Sequence, residues 1–366
     1  MKIIFIGRYN NSELLSGPEK VAKRLFEHIS ITNAETEFVT YFFKQEKRRK
    51  LKDILFGEMI IKNNPVVRKL GIIKIISYLF LYRPRIIHMI TFERFCLPLL
   101  VFKKILKAKF IYTVHGIYIY ERQNYYHKQN LLSRVEDTLL EKLLFWRSDR
   151  LVFLSQHSID LAKKYYNLKK MKIMLIPNGT SILDLPAKKS FILKNGIRIV
   201  FYDGSENSLR RGLEILIPII DDKFKTKIEF TVIGSTRYDL GAKYLDLRFK
   251  NYLPEKELFE YLSSNDIYID SLNFQSFPLS VLEAMSLGLI IITSNKSGIS
   301  SYIYHGINGF IFNIDSPGEI KEIIGELCDN KYNLNSISLK AIETAKDLSW
   351  DKISKQYISM YQELIN

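Results

Sequence analysis

Short uninterrupted apolar runs alternate along this chain with longer stretches whose apolar residues recur every three to four positions. Ile3–Ile6, Phe38–Phe42, Ile86–Met89, Phe110–Val114, Leu151–Leu154 and Lys172–Ile176 have the length and composition of buried strands. Pro18–Ser30 and Leu131–Trp146, between them, have the length of helices. Residues 181–195 are polar, with Pro186 and Lys188-Lys189, and read as a linker. The pattern then restarts. Arg198–Tyr202, Ile228–Ile233, Ile267–Asp270, Leu289–Thr293 and Gly309–Phe312 are predicted strands, with helices over Leu213–Ile220, Glu255–Ser263 and Pro278–Leu287. Strands alternating with helices build βαβ units and parallel sheets. A chain of 366 residues also exceeds the usual size of one hydrophobic core. The expectation is two doubly wound α/β domains, 1–180 and 196–345, with the chemistry at the carboxyl ends of their strands. Two such domains facing each other would form a cleft.

Charge changes this picture in one half only. Residues 1–180 hold 33 Lys and Arg against 15 Asp and Glu, a balance of +18, whereas the remainder balances at −3. Such asymmetry points to a polyanion facing the first half, either nucleic acid or an anionic membrane surface. No nucleic-acid-binding module is recognisable, which favours the membrane. Basic residues run through Lys44–Lys52 and recur to Lys109, interleaved with the apolar stretch Val66–Tyr82. That stretch reads either as an interfacial membrane helix or as a core helix with solvated lysines. No run of about 20 apolar residues occurs, so no transmembrane helix is expected. Arg8 and Tyr9 cut the first apolar run too short for a signal peptide. Cys96 and Cys328 are the only cysteines and offer neither a disulfide framework nor metal-ligand spacing. These features imply a cytoplasmic protein, peripheral on a membrane at most.

The segment with most chemistry is Ser271–Gly288. A loop carrying Gln275 and Ser276 enters a helix through Phe277-Pro278. The free N–H groups of a first helical turn, with the helix dipole, favour a phosphate. Glu283 falls one turn further along, within reach of a ribose whose diphosphate sits at the helix start. The alternative is an ordinary capped helix with Glu283 solvated. Downstream, Gly306 and Gly309 in His305–Gly309 mark a tight turn into the last strand.

SFPLSVLEAMSLGLIIITSNKSGISSYIYHGINGFIF resembles the donor-site signature of the retaining glycosyltransferases of family four, the group 1 glycosyltransferases, which have the GT-B fold. Ser16-Gly17-Pro18-Glu19, Val114-His115-Gly116, Phe153-Leu154-Ser155, Ile176–Gly179, Asp203-Gly204-Ser205 and Arg211-Gly212 resemble other family segments in the same order. Ser349-Trp350-Asp351 and Tyr357–Leu364 resemble the terminal helix, so 346–366 is expected to cross back to the first domain. The resemblance implies a nucleotide diphosphate-sugar donor without a metal or further cofactor, and a glycan or lipid-linked acceptor, as in surface polysaccharide synthesis. It also implies roles. Glu283 would hold the donor ribose, and Phe277, Leu279 and Ser280 would line the diphosphate by backbone. Arg211 would neutralise the diphosphate, beside Gly204, and Gly17 would let phosphate approach. His115 would lie near the sugar 6-hydroxyl, or be a strand-end histidine bonded to backbone.

Two positions depart from the family pattern. The first Glu of its paired-Glu motif is here Gln275, which keeps the shape and an acceptor but not the charge. The usual Arg after the glycine is Ser205, leaving Arg211 as the family-matched cation. The implied reaction has Arg211 and the helix start stabilising charge on the departing nucleotide diphosphate while the acceptor hydroxyl attacks from the same face. A catalytically impaired sugar-nucleotide-binding partner and a GT-B sugar-nucleotide epimerase are the competing readings.

Overall fold

The computed structural model describes residues 1–10, 15–42, 51–124, 131–181, 191, 196–202, 212, 215–216, 228–234, 247–271 and 273–366. The chain divides into two compact units. The first comprises Met1–Leu154, Ser158–Pro177 and Trp350–Asn366, and the second Ser155–His157 and Asn178–Ser349. The expected linker, apart from Ser181 and Phe191, lies outside the described residues, as does most of the expected helix at 213–220.

The first unit runs β1 (Ile3–Ile6), α1 (Gly17–Thr32), β2 (Thr36–Tyr41), α2 (Leu51–Phe56), β3 (Glu58–Asn63), β4 (Val66–Leu70), α3 (Ile72–Tyr82), β5 (Ile86–Met89), α4 (Cys96–Leu106), β6 (Lys109–Val114), α5 (Tyr118–Asn124), α6 (Leu131–Arg147), β7 (Arg150–Phe153), α7 (Gln156–Lys163) and β8 (Ile173–Leu175). These strands form one eight-stranded sheet in the order β3-β4-β2-β1-β5-β6-β7-β8. Every pairing is parallel except β3 with β4. β1 lies between β2 and β5, with Ile3 opposite Thr36 and Ile86. Helices cover a doubly wound sheet on both faces, so all four residues of β1 are buried and its sequence is an unbroken apolar run.

The second unit runs β9 (Ile197–Tyr202), β10 (Ile228–Ile233), β11 (Leu247–Lys250), α8 (Glu255–Ser263), β12 (Ile267–Asp270), α9 (Leu279–Ser286), β13 (Ile290–Ser294), a 3₁₀ turn (Gly298–Tyr302), β14 (Phe310–Phe312), α10 (Gly318–Cys328) and α11 (Leu334–Asp347). Its six-stranded sheet has the order β11-β10-β9-β12-β13-β14 and is parallel throughout. Its core joins Ile199, Phe201, Ile269, Ile292 and Phe310 of the sheet to Ile320, Ile324 and Leu327 of α10. The expected α/β class, with two parallel doubly wound domains, is what the chain adopts.

α12 (Trp350–Ile365) returns to the first unit and packs on α1. Its buried face carries Trp350, Ile353, Tyr357, Met360 and Tyr361 at helical spacing. A polar pin joins this face to the sheet. His88 of β5, fully buried, places Nδ1 2.6 Å from Tyr361 Oη and Nε2 2.7 Å from Thr113 Oγ1.

The stretch Val66–Tyr82 corrects a sequence expectation, because it is not one helix but a strand followed by a helix. Val66–Leu70 is a strand held by β2 on one side and β3 on the other. Gly71 ends it where a Cβ would stand 2.4 Å from the Leu55 carbonyl carbon. α3 then buries Ile75 and Leu79. Arg68 Nε donates to Glu37 at 2.8 Å, and Tyr78 donates to the same carboxylate at 2.6 Å. Much of the polarity of this stretch is therefore spent inside the unit. Residues 44–50 of the basic run lie outside the described residues.

Candidate active site

The second unit builds its site from the loops after β12 and β13. Asp270, at the end of β12, accepts hydrogen bonds from Thr293 Oγ1 at 3.0 Å and Ser297 Oγ at 2.9 Å. This carboxylate ties the two loops together from beneath. Above it, Gln275 forms a parallel bridge with Ser297, and the Gly298 N–H donates to the Gln275 carbonyl at 2.8 Å. A Cβ on Gly298 would stand 1.8 Å from the Ser276 carbonyl oxygen, so only glycine permits this approach. Phe277 is buried edge-on to Tyr302, and its carbonyl accepts from Asn178 Nδ2 at 3.1 Å.

That framework delivers the chain to α9 with Pro278 at the N-cap position, and no side chain caps the helix. Proline has no side-chain acceptor to turn inward, so the first-turn N–H groups at Leu279 and Ser280 keep their capacity for an anion. Glu283 lies one turn on and is 6% exposed, so it is not a solvated helix residue. Gln275 Oε1 and Ser276 Oγ are buried and have no hydrogen-bond partner. Buried polar atoms are ordinarily paired, and leaving one unpaired costs about 1–3 kcal/mol. Two orphans on one loop, beside an uncapped helix start, suit a ligand carrying both hydroxyls and a phosphate.

The carboxyl edge of the first unit's sheet carries the other expected residues. Gly17 is the first residue of α1, after Ser16, whose backbone N–H and hydroxyl both donate to Glu19 at 3.0 and 2.7 Å. A Cβ at Gly17 would meet nothing within 4 Å, so packing does not demand the glycine and the space beside it is open. His115 follows β6, and its Nε2 is enclosed without a partner. Burial pushes this imidazole down to about 4, against a partly restoring hydrogen bond with the Ile90 backbone. Near neutral pH it is uncharged. A Cβ on Gly116 beside it would meet Glu121 Oε1 at 2.2 Å, so a larger residue there would displace that carboxylate.

One cluster on this edge escaped sequence reasoning. Glu93, after β5, is buried and accepts from Arg8 Nε at 2.6 Å, from Thr91 Oγ1 at 3.3 Å and from the Tyr41 hydroxyl. Its pKa is raised by burial and held back by Arg8. Its members come from the ends of β1, β2 and β5, up to 85 positions apart, and no local pattern marks them. The Asp270 tie escaped for the same reason. Arg211 and Gly204, with Ser205, lie outside the described residues. Among the described residues no three His, Cys, Asp or Glu side chains gather to hold a metal ion. No described helix is long and apolar enough to cross a membrane.

Glycosyltransferase Family 4 matches residues 15–182, and Glycosyl transferases group 1 matches residues 210–346. The two matches follow one another over most of the chain. This chain belongs to the group 1, family 4 glycosyltransferases. The uncharacterized glycosyltransferase MJ1069 of Methanocaldococcus jannaschii is 26% identical over 71% of this chain and 69% of its own length. The sucrose-phosphate synthase of Thermosynechococcus elongatus superposes with a TM-score of 0.77 at 15% identity, covering 100% of this chain and 99% of that one. Anabaena Alr3699/HepE in complex with UDP-glucose gives 0.71 at 14%, covering 99% of this chain and 100% of that one. At those identities the structures establish a shared GT-B fold.

The buried titratable groups of this glycosyltransferase set its response to acid. His88 is pushed down to about 3 by burial and by His115, which itself lies near 4. An unfolded histidine takes a proton near 6.5, so each of the two destabilises the fold as pH falls from 6.5 toward its folded value. The slope is about 1.4 kcal/mol per pH unit per histidine. Glu141, fully buried, is pushed up to about 7, and Glu93 is raised as well. A raised carboxyl holds its proton in the folded state first, so Glu141 opposes the histidines between about 7 and its ordinary value of 4.5. Below 4.5 that compensation has ended while the histidines still act. Denaturant-derived stability is therefore expected to fall more gently from pH 7 to 5 than it does below 4.5. A decline from 7 to 5 as steep as that below 4.5 would show that the buried carboxyls do not offset the histidines, and no decline below 4.5 would show that the histidines are not held neutral in the fold.

Proposed function

We propose that this glycosyltransferase takes a sugar from a nucleotide diphosphate-sugar and passes it, with retention, to a hydroxyl of a glycan or lipid-linked acceptor in surface polysaccharide synthesis. The observation that carries the donor reading is the pair of orphaned buried atoms, Gln275 Oε1 and Ser276 Oγ, on the loop that opens the uncapped helix α9. Sugar hydroxyls would satisfy the orphans, and the diphosphate would take the free N–H groups at Leu279 and Ser280. Glu283, one turn along, would accept from the ribose hydroxyls. UDP-glucose in the Anabaena relative supports a nucleotide-sugar as donor. The +18 balance of residues 1–180 supports an anionic membrane surface and hence a lipid-linked acceptor.

In this reading, charge on the departing diphosphate is met by the α9 dipole and by Arg211, without a metal or further cofactor. The acceptor hydroxyl attacks the anomeric carbon from the face the nucleotide leaves, as the bond to the diphosphate oxygen breaks, and its proton passes to that departing oxygen. Neutral His115 offers a hydrogen bond rather than a charge to a ligand at its own sheet edge. Gln275 favours a second reading, an impaired sugar-nucleotide-binding partner, because an amide only weakly stabilises positive charge at the anomeric carbon. The test is a panel of nucleotide-sugars, with nucleotide diphosphate release followed and the product anomer read by proton NMR. Slow release with retained configuration is expected, and Gln275→Glu should raise release from hexose donors about tenfold. Inversion, or binding of no nucleotide-sugar, would overturn the proposal. Binding without release by either form would establish the impaired partner.

A further inference from the structure

The first unit contains a second candidate site, at the amino-terminal edge of its sheet. α3 and α4 end alike. Arg83 and Lys107 close them in the left-handed conformation, at φ 52° and 51°. Each is followed by one apolar residue and then a second cation, Arg85 before β5 and Lys109 opening β6. β5 and β6 are neighbours, and the Lys109 N–H donates to the Arg85 carbonyl at 2.9 Å. The two turns therefore lie side by side, and their four exposed cations line one pocket of about 490 Å³. Among the described residues none of the four side chains has a carboxylate partner, whereas nearby Lys103 is paired with Asp149 at 2.9 Å. The rest of the lining is apolar, with Phe80 and Ile105 from the two helices and Ile365 from the end of α12. Beside it the exposed faces of α3 and α4 carry Leu81, Val101 and Ile105, 83%, 61% and 63% exposed. Phe80 and Phe102 meet edge-on between the helices at 6.3 Å.

Four uncompensated cations around an apolar floor, next to exposed aliphatic side chains, have a definite chemical complement. We infer that this pocket takes the phosphoryl headgroup of an anionic phospholipid while Leu81, Val101 and Ile105 enter the bilayer interface. A cationic pocket attracts the headgroup, and apolar side chains beside it recover stabilisation from the acyl region that a soluble anion could not supply. Within its unit the pocket is at the edge of the sheet opposite His115, which follows the other end of β6. The inference rests on the membrane reading above and narrows it from the whole first half to two turns.

The test uses flotation with phosphatidylcholine vesicles, with and without phosphatidylglycerol. The variant combines Arg83→Asn, Lys107→Asn, Arg85→Gln and Lys109→Gln. Asparagine tolerates the left-handed conformation and all four side chains are exposed, so thermal melting and donor hydrolysis should match the parent. The parent should float only with phosphatidylglycerol, and less in high salt. The fourfold variant should partition on the order of a thousandfold more weakly at low salt. A control with Lys163→Gln and Lys169→Gln should behave as the parent. Equal flotation of the fourfold variant would overturn the pocket while leaving the membrane reading standing. Failure of the parent to float would overturn both. Release of the parent by soluble glycerol phosphate at no more than the headgroup concentration of the vesicles, at constant ionic strength, would identify a free phosphate ester as the ligand and overturn the bilayer assignment.

Discussion

Glu283→Ala is expected to lower nucleotide-sugar affinity by about 10- to 100-fold, measured by calorimetry. A carboxylate accepting hydrogen bonds from a ribose contributes roughly 1.5–3 kcal/mol, which spans that range. Alanine is the better helix former, so α9 should persist in the variant. A thermal melt on the same sample separates a folding loss from a binding loss. Glu283→Gln should fall between the two, since the amide can still accept one hydrogen bond but brings no charge. If Glu283→Ala binds as tightly as the parent, this carboxylate does not touch the donor, and α9 is only a structural helix.

The second large effect is expected at a residue that contacts no ligand in this reading. Gly298→Ala would place a methyl group 1.8 Å from the Ser276 carbonyl oxygen and 2.8 Å from Ser155 Oγ. The first of these is backbone and cannot rotate away. Relief requires the Gln275–Ser276 loop to move and weakens the hydrogen bond from the Gly298 N–H to the Gln275 carbonyl. Overpacking of this kind costs about 1–3 kcal/mol of stability. A shift of about 1 Å in positioning groups can cost about a hundredfold in rate, so turnover should fall by that order even in protein that remains folded. Gly318→Ala and Gly325→Ala serve as controls, because a Cβ at either meets nothing within 4 Å. Turnover of Gly298→Ala within a factor of two of those controls would show that the loop contact does not position the donor.

Residue patterning alone determined the class of this protein and most of its described strands. Ile3–Ile6, Ile86–Met89, Ile228–Ile233 and Ile267–Asp270 are strands over the residues the apolar runs delimit. A strand covered on both faces must be apolar throughout, which leaves a signal in consecutive residues. Order along the chain also carried the family resemblance, and with it the loop from Gln275 to Glu283. The hairpin of β3 and β4 was not legible. β3 is an edge strand with Glu58, Met59 and Ile60 exposed, so burial imposes no alternation on it. Val66–Tyr82 misled for a related reason. Apolar residues of a strand followed by those of a helix mimic one long amphipathic helix, and only pairing with β2 and β3 separates them. Tertiary structure alone brought Glu93 to Arg8, Asp270 to Ser297, and His88 to both Thr113 and Tyr361. It also aligned the Arg83 and Lys107 turns around one pocket. In each case the partners come from different elements, and their chemistry depends on distance in space. Periodicity reports what a residue's own element buries, whereas a hydrogen bond across elements exists only once the sheet register has been set.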